Sequence, residues 1–199
     1  MIIVNHRINN VAALRKINFE HGVEVDLRDN LNGEIYLAHD PFVNGESFDN
    51  YLNWFNHKFI IINIKSEGIE YKVIELLKKH QIKNYFFLDS SFPMIKKLSF
   101  AGETNMAIRF SEFEGLDTII SMKGKIKWVW IDCFSLMPLT KKIYELLKNH
   151  GFKLCLVSPE LQNQEDKIIH YKQYLIQNKI NVDMVCTKSH NNDKWLKNI

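Results

Sequence analysis

Short apolar runs recur along this chain, each followed by a stretch of helical periodicity. The runs cover residues 2–5, 22–26, 59–64, 85–88, 105–108, 127–131, 153–157 and 182–186. Most are continuous rather than alternating, the pattern of parallel strands covered on both faces. Between them, 69–80 places Ile69, Val73, Ile74, Leu76 and Leu77 on one helical stripe. Helices are also predicted over 138–150, opened by Pro138 and stopped before Gly151, and over the long amphipathic segment 161–177. Further helices are expected over 9–19 and 92–100, a short one over 113–121, and a last one around Trp195. A turn signal at 29–33 followed by the apolar run 35–38 predicts a hairpin after the second strand.

Eight strand–helix units favour an α/β fold, a compact (β/α)8 TIM barrel, over an open doubly wound sheet. The open sheet calls for a glycine-rich first turn, and Asn5-His6-Arg7-Ile8-Asn9 contains no glycine. At 199 residues the chain is slightly short for a barrel of ~200–250, so helices and loops must be trimmed. No linker divides it, and a single domain over 1–199 is expected.

Composition narrows the partners. Hydrophobic content of 46% and charged content of 25% are those of a soluble globular protein. A net charge of +3 with dispersed lysines argues against nucleic acid and suits a small anionic substrate. No apolar run approaches a membrane span and the N-terminus does not read as a signal peptide, so a cytoplasmic protein is expected. Cys133, Cys155 and Cys186 read as core thiols rather than disulfide partners or zinc ligands. Trp128 and Trp130 should pack under helices, and His21, His57, His80, His150, His170 and His190 should lie at the surface.

The polar residues carry the chemistry. The predicted strand ends hold His6-Arg7, Glu24 with Asp26, Lys65 with Glu67, Asp89, Arg109, Asp132, Ser158 and Thr187-Lys188. A barrel builds its active site at those ends. Arg7, Lys65, Arg109 and Lys188 would form a cationic floor for a phosphate. Glu24 and Asp26, two apart on a strand, share a face and offer hard oxygen ligands to Mg²⁺ or Ca²⁺. His6 and His39 are the proton donor and acceptor suited to neutral pH. Together they point to cleavage of a phosphodiester.

From His6 to Asp40 the sequence resembles the glycerophosphodiester phosphodiesterases, within the phosphatidylinositol-phospholipase-C-like barrels. The family's His-Arg opening is His6-Arg7, with Gly22 at the expected distance beyond it; its Glu-x-Asp is Glu24-Val25-Asp26, about three residues sooner after that glycine than in the family, and Gly33 and its His-Asp, His39-Asp40, follow in register. Ile62-Asn63-Ile64-Lys65 is similar to the family's Ile-Glu-Ile-Lys strand. The resemblance implies a small phosphodiester substrate, His6 and His39 as acid–base pair, and Arg7 and Lys65 on the phosphate. It also implies a divalent cation, Mg²⁺ or Ca²⁺, on Glu24, Asp26 and Asn63. The sequence departs from the family at Ile8, where a glycine is usual, at Asn9 and Val11, and at Asn63, which replaces a third acidic ligand. An amide brings an oxygen but no charge, so weaker cation binding is expected unless Glu67 or Asp132 substitutes. The residues leave two alternatives. One is a barrel that binds a phosphorylated ligand without turnover. The other is a barrel isomerase or aldolase, with Lys65 as the only candidate Schiff base.

Overall fold

The computed structural model describes residues 1–197. The chain divides into two compact units, Val4–Leu98 and Met1–Ile3 with the chain from Ser99 onward. The first comprises β1 (Ile2–Asn5, begun in the other unit), α1 (Val11–Leu14), β2 (Gly22–Asp29), β3 (Ile35–Leu37), α2 (Phe48–Leu52), β4 (Phe59–Ile64), α3 (Glu70–Lys79) and β5 (Tyr85–Leu88). Helix α4 (Phe92–Phe100) runs across the boundary. The second comprises β6 (Ala107–Phe110), α5 (Asp117–Ser121), β7 (Trp128–Ile131), α6 (Lys141–Asn149), β8 (Lys153–Val157), α7 (Ile168–Gln177), β9 (Met184–Thr187) and α8 (Asn192–Leu196). The strand order is β5-β4-β2-β1-β9-β8-β7-β6, with β3 attached to β2. Eight parallel strands alternating with helices are the (β/α)8 class expected from the periodicity.

Several boundaries differ from the sequence reading for local reasons. Strand β2 runs three residues further because Leu27, Arg28 and Asp29 pair antiparallel with Leu37, Tyr36 and Ile35 of the hairpin. The helix read over 9–19 is only four residues long; Asn18 Oδ1 accepts from Glu20 N, a local turn that competes with helix. The segment 161–177 is broken by Asn163, whose backbone is left-handed at φ 59°, so α7 starts only at Ile168. Helix α2 is too short to show a period; Ser47 caps it and it buries Phe48, Tyr51 and Leu52. Strand β6 lies two residues later than read, which places Arg109 within the strand, opposite Trp130.

The core follows the apolar runs. Strand β4 is buried along its whole length, and Val23, Val25 and Leu27 fill one face of β2 with no exposure. Each such side chain contributes about 1.5–3 kcal/mol. Trp128, Trp130 and the three cysteines are all buried, as expected. His57 corrects the reading: it is buried, with Nε2 at 3.1 Å from the Ile17 carbonyl. No helix among the described residues is long and apolar enough to cross a membrane.

One close approach fixes the path of the chain beyond the hairpin. Gly45 passes so near β3 that a Cβ there would lie 2.0 Å from the Leu37 carbonyl oxygen. The segment after β3 thus folds back on it, with Leu37 N donating to Glu46 O at 2.9 Å.

Candidate active site

Along β2, Glu24, Asp26 and Arg28 alternate with Val23, Val25 and Leu27, so the polar three share the face opposite the apolar three. Both carboxylates are fully buried. Parallel pairing sets Asp26 directly beside Asn63 of β4. Glu24 Oε2 accepts from the Arg7 backbone N–H at 2.7 Å, and Oε1 accepts from Asn63 Nδ2 at 2.9 Å. Burial first, and the charge of Asp26 second, raise the Glu24 carboxyl to about 7, against the pull of those two donors and Lys65. Asn9 clamps Asp26 from both sides. Its Nδ2 donates to Asp26 Oδ2 at 2.8 Å, while its Oδ1 accepts from Asp26 N at 2.9 Å.

Two oxygens of this cluster lack a hydrogen-bond donor, Asp26 Oδ1 and Asn63 Oδ1, both buried. Lys65 Nζ stands 3.7 Å from the first, beyond hydrogen-bond reach, and 3.6 Å from Asp89 Oδ2. Two neighbouring acceptors without donors, beside the Glu24 carboxylate, form an oxygen set that fits a hard dication. Among the described residues no three His, Cys, Asp or Glu side chains gather as ligands, because the third position is an amide. Glu67 does not substitute: its Oε1 accepts from Ser91 Oγ at 2.6 Å. Neither is Asp132 spare for that role, since Arg109 and Gln162 both donate to it.

The histidines sit on the segments that follow β1 and β3. His6 Nε2 lies 3.8 Å from Glu24 Oε2. His39 is held at three points. Its Nδ1 is 2.7 Å from Asp40 Oδ1, its Nε2 is 2.6 Å from Arg7 Nη2, and its carbonyl accepts from Arg28 Nε and Nη2 at 3.2 and 2.9 Å. Arg28 Nη1 also donates to the Lys65 carbonyl at 3.0 Å, tying the segments after β3 and β4 together. The hydrogen bond from His39 holds the Asp40 carboxyl below its usual range. Arg7 Nε stands 3.9 Å from Asp26 Oδ2. Arg7 and Asp89 both adopt left-handed backbone, φ 55° and 57°, as does Phe42 at 62° just beyond His39-Asp40. Strain of that kind concentrates where a structure holds side chains for use.

The structure therefore brings His6, Arg7, Glu24, Asp26, His39, Asn63 and Lys65 into one network within the Val4–Leu98 unit. Arg109 belongs to a separate network in the other unit, where Nη1 donates to Asp132 Oδ2 and Nε lies 3.8 Å from Glu114. Asp132 Oδ1 there accepts from Gln162 Nε2 and the Cys133 backbone N–H, at 2.8 and 3.0 Å. A further buried carboxylate, Glu160, accepts from Ser158, Thr187 and the Lys188 backbone N–H, joining the ends of β8 and β9. Sequence reasoning placed Asp89 at a strand end without giving it a role, and missed Asn9 and Arg28 as site residues. Of these two, Arg28 carried a signal, as the third member of the Glu24, Asp26 alternation.

No protein-family model and no curated protein matches the sequence. Solved structures do. A glycerophosphodiester phosphodiesterase from Agrobacterium tumefaciens str. C58 superposes with a TM-score of 0.72 at 16% identity, over 98% of this chain and 99% of that one. A glycerophosphoryl diester phosphodiesterase from Parabacteroides distasonis ATCC 8503 does so at 0.68 and 11%, over 98% of this chain and 85% of that one. At such identities the likeness establishes the fold.

Proposed function

We propose that the chain is a phosphodiester hydrolase acting on a glycerophosphodiester or a related small diester. The observation that carries this reading is the pair of contacts on the His39 ring, Nε2 with Arg7 and Nδ1 with Asp40. Arg7 can only donate, so His39 Nε2 accepts, and the ring proton resides on Nδ1 against Asp40. These contacts suit His39 to the role of base and leave His6, beside Glu24, as the acid. The fold shared with phosphodiesterases of known structure supports the same reading.

In this mechanism Arg7 and Lys65 hold the phosphate oxygens and offset the charge that grows on them. His39 Nε2 takes the proton of the attacking oxygen, a water or the substrate's own neighbouring hydroxyl. As that oxygen bonds phosphorus, the bond to the leaving oxygen breaks with its electron pair, and His6 delivers a proton there. Glu24, Asp26 and Asn63 would hold the divalent cation, which when bound neutralises phosphate charge and makes the attacking oxygen more acidic. Asn9 keeps Asp26 oriented toward that role. Arg109 is carried as a further phosphate contact, to be judged by whether Arg109→Lys raises KM.

Bis(p-nitrophenyl) phosphate and a panel of glycerophosphodiesters, assayed with Mg²⁺, Ca²⁺, Mn²⁺ or EDTA, test the proposal. Turnover should be lost in both His39→Ala and His6→Ala. No release from any diester, with His39→Ala indistinguishable from the parent, would refute it. A melting temperature raised by phosphate esters without turnover would favour the reading as a binding barrel, which Asn63 motivates.

A further inference from the structure

The contact between Arg7 and His39 has a cost for a base. A lone pair that already accepts a 2.6 Å hydrogen bond from a guanidinium cannot take a proton from a nucleophile. As arranged, the protein holds its base in readiness and covered.

We propose that Arg7 is a specificity-determining residue: it masks His39 Nε2 in the free protein and leaves only for an anionic substrate oxygen. This rests on the phosphodiesterase reading. The pivot is fixed and the arm is exposed. The Arg7 backbone is held left-handed at φ 55°, with its N–H on Glu24 Oε2 at 2.7 Å. Its side chain is about half exposed, at 48%, and its nearest carboxylate oxygen, on Asp26, is 3.9 Å away. The two non-bridging oxygens of a phosphodiester share a charge and accept the guanidinium fork in two parallel hydrogen bonds, where the imidazole offers a single uncharged lone pair. An anionic diester therefore outcompetes His39 for Arg7 and uncovers the base in the act of binding. A neutral phosphotriester cannot, and meets a covered Nε2. Asp40 stays on Nδ1 throughout and keeps the freed lone pair on Nε2.

The test uses Arg7→Met, which retains the backbone N–H to Glu24 and removes the mask. Dimethyl p-nitrophenyl phosphate, a neutral triester, should be turned over about tenfold faster by Arg7→Met than by the parent, the equivalent of one charge-assisted hydrogen bond released. Bis(p-nitrophenyl) phosphate should be turned over more slowly, because the variant has lost its anion contact. A role confined to binding phosphate predicts no gain on the triester, and unchanged or slower triester turnover overturns the proposal. Diethyl pyrocarbonate gives a second readout that needs no turnover. His39, assigned by comparison with His39→Gln, should react about tenfold faster in Arg7→Met than in the parent, by the same reasoning. Equal rates would also overturn the masking. If neither ester is hydrolysed, the phosphodiesterase reading fails while the carbethoxylation rates still decide whether Arg7 covers His39.

Discussion

Replacing Arg28 should separate stability from catalysis in a way that reports on the site's framework. Arg28→Ala removes two hydrogen bonds to the His39 carbonyl and one to the Lys65 carbonyl. Buried charged donors contribute about 1.5–3 kcal/mol each. Here two of the three share one acceptor and the side chain is only part-buried, so solvent screening reduces the sum to about 2 kcal/mol. For a domain of this size that is a fall in Tm of roughly 4–8 °C. The effect on turnover should be larger, because His39 and Lys65 lose their common tie, and a shift near 1 Å at a reacting group costs about 100-fold. Arg28→Lys keeps the charge but offers one ammonium to two carbonyls, and should fall between Arg28→Ala and the parent. The assay is kcat/KM on the best diester with Tm measured in parallel, for both variants and for Arg28→Ala combined with His39→Ala. If Arg28 acts through His39, the double variant is no slower than His39→Ala alone. The reasoning is refuted if Arg28→Ala loses less than about threefold in kcat/KM while Tm falls as expected, or if the two losses multiply.

Three other perturbations have defined outcomes. Asn63→Asp removes the donor to Glu24 Oε1 and adds a third carboxylate beside a group already raised to about 7. It should melt lower than the parent in EDTA and gain more from Ca²⁺ or Mg²⁺, about 2.7 kcal/mol at a cation concentration of 100 Kd; equal cation shifts in both proteins would rule out ligation at this position. Burial lowers the pKa of both His57 and His21 from the ordinary 6.5, so both stabilise fully above 6.5 as neutral groups. As pH falls below 6.5 the unfolded chain binds protons the folded chain refuses and stability is lost; His57→Gln should flatten that loss in a Tm profile from pH 7 to 5, and a profile parallel to the parent would contradict it. Gly45→Ala drives a Cβ to 2.0 Å from the Leu37 carbonyl, so the segment carrying His39 must lift from β3. The substitution should cost about 3 kcal/mol or more in denaturant unfolding, and a loss under 1 kcal/mol would show that the segment adapts.

How far the sequence reaches can be judged residue by residue. The eight parallel strands were legible because continuous apolar runs such as Phe59–Ile64 are what burial on both faces requires. Glu24 and Asp26 were legible because a period of two puts them on one face whatever the twist. Arg28 obeys the same period but was passed over, since its place in the strand depends on the β3 hairpin that extends β2. Asn9 could not be read at all. Its amide meets Asp26 only through the path of the chain from β1 toward α1, and an amide gives no chemical signal in a sequence. Arg109 is harder to read, because an arginine near a strand end suits a carboxylate as well as a phosphate. Its bond to Asp132, 23 residues away, is a tertiary fact. The short helix α2 escaped for another reason: five residues span too little of a turn pattern to register.

The left-handed backbone at Arg7 and Asp89 also bears on how this protein could change over time. Each such residue costs about 1–2 kcal/mol that a glycine would not incur. A library selected for heat tolerance alone would therefore drift toward glycine at both positions and discard the arm over His39 and the partner of Lys65. Hardiness and turnover run in opposite directions along that path. Variants recovered from such a screen would be the most robust copies of this fold and the least able to use it.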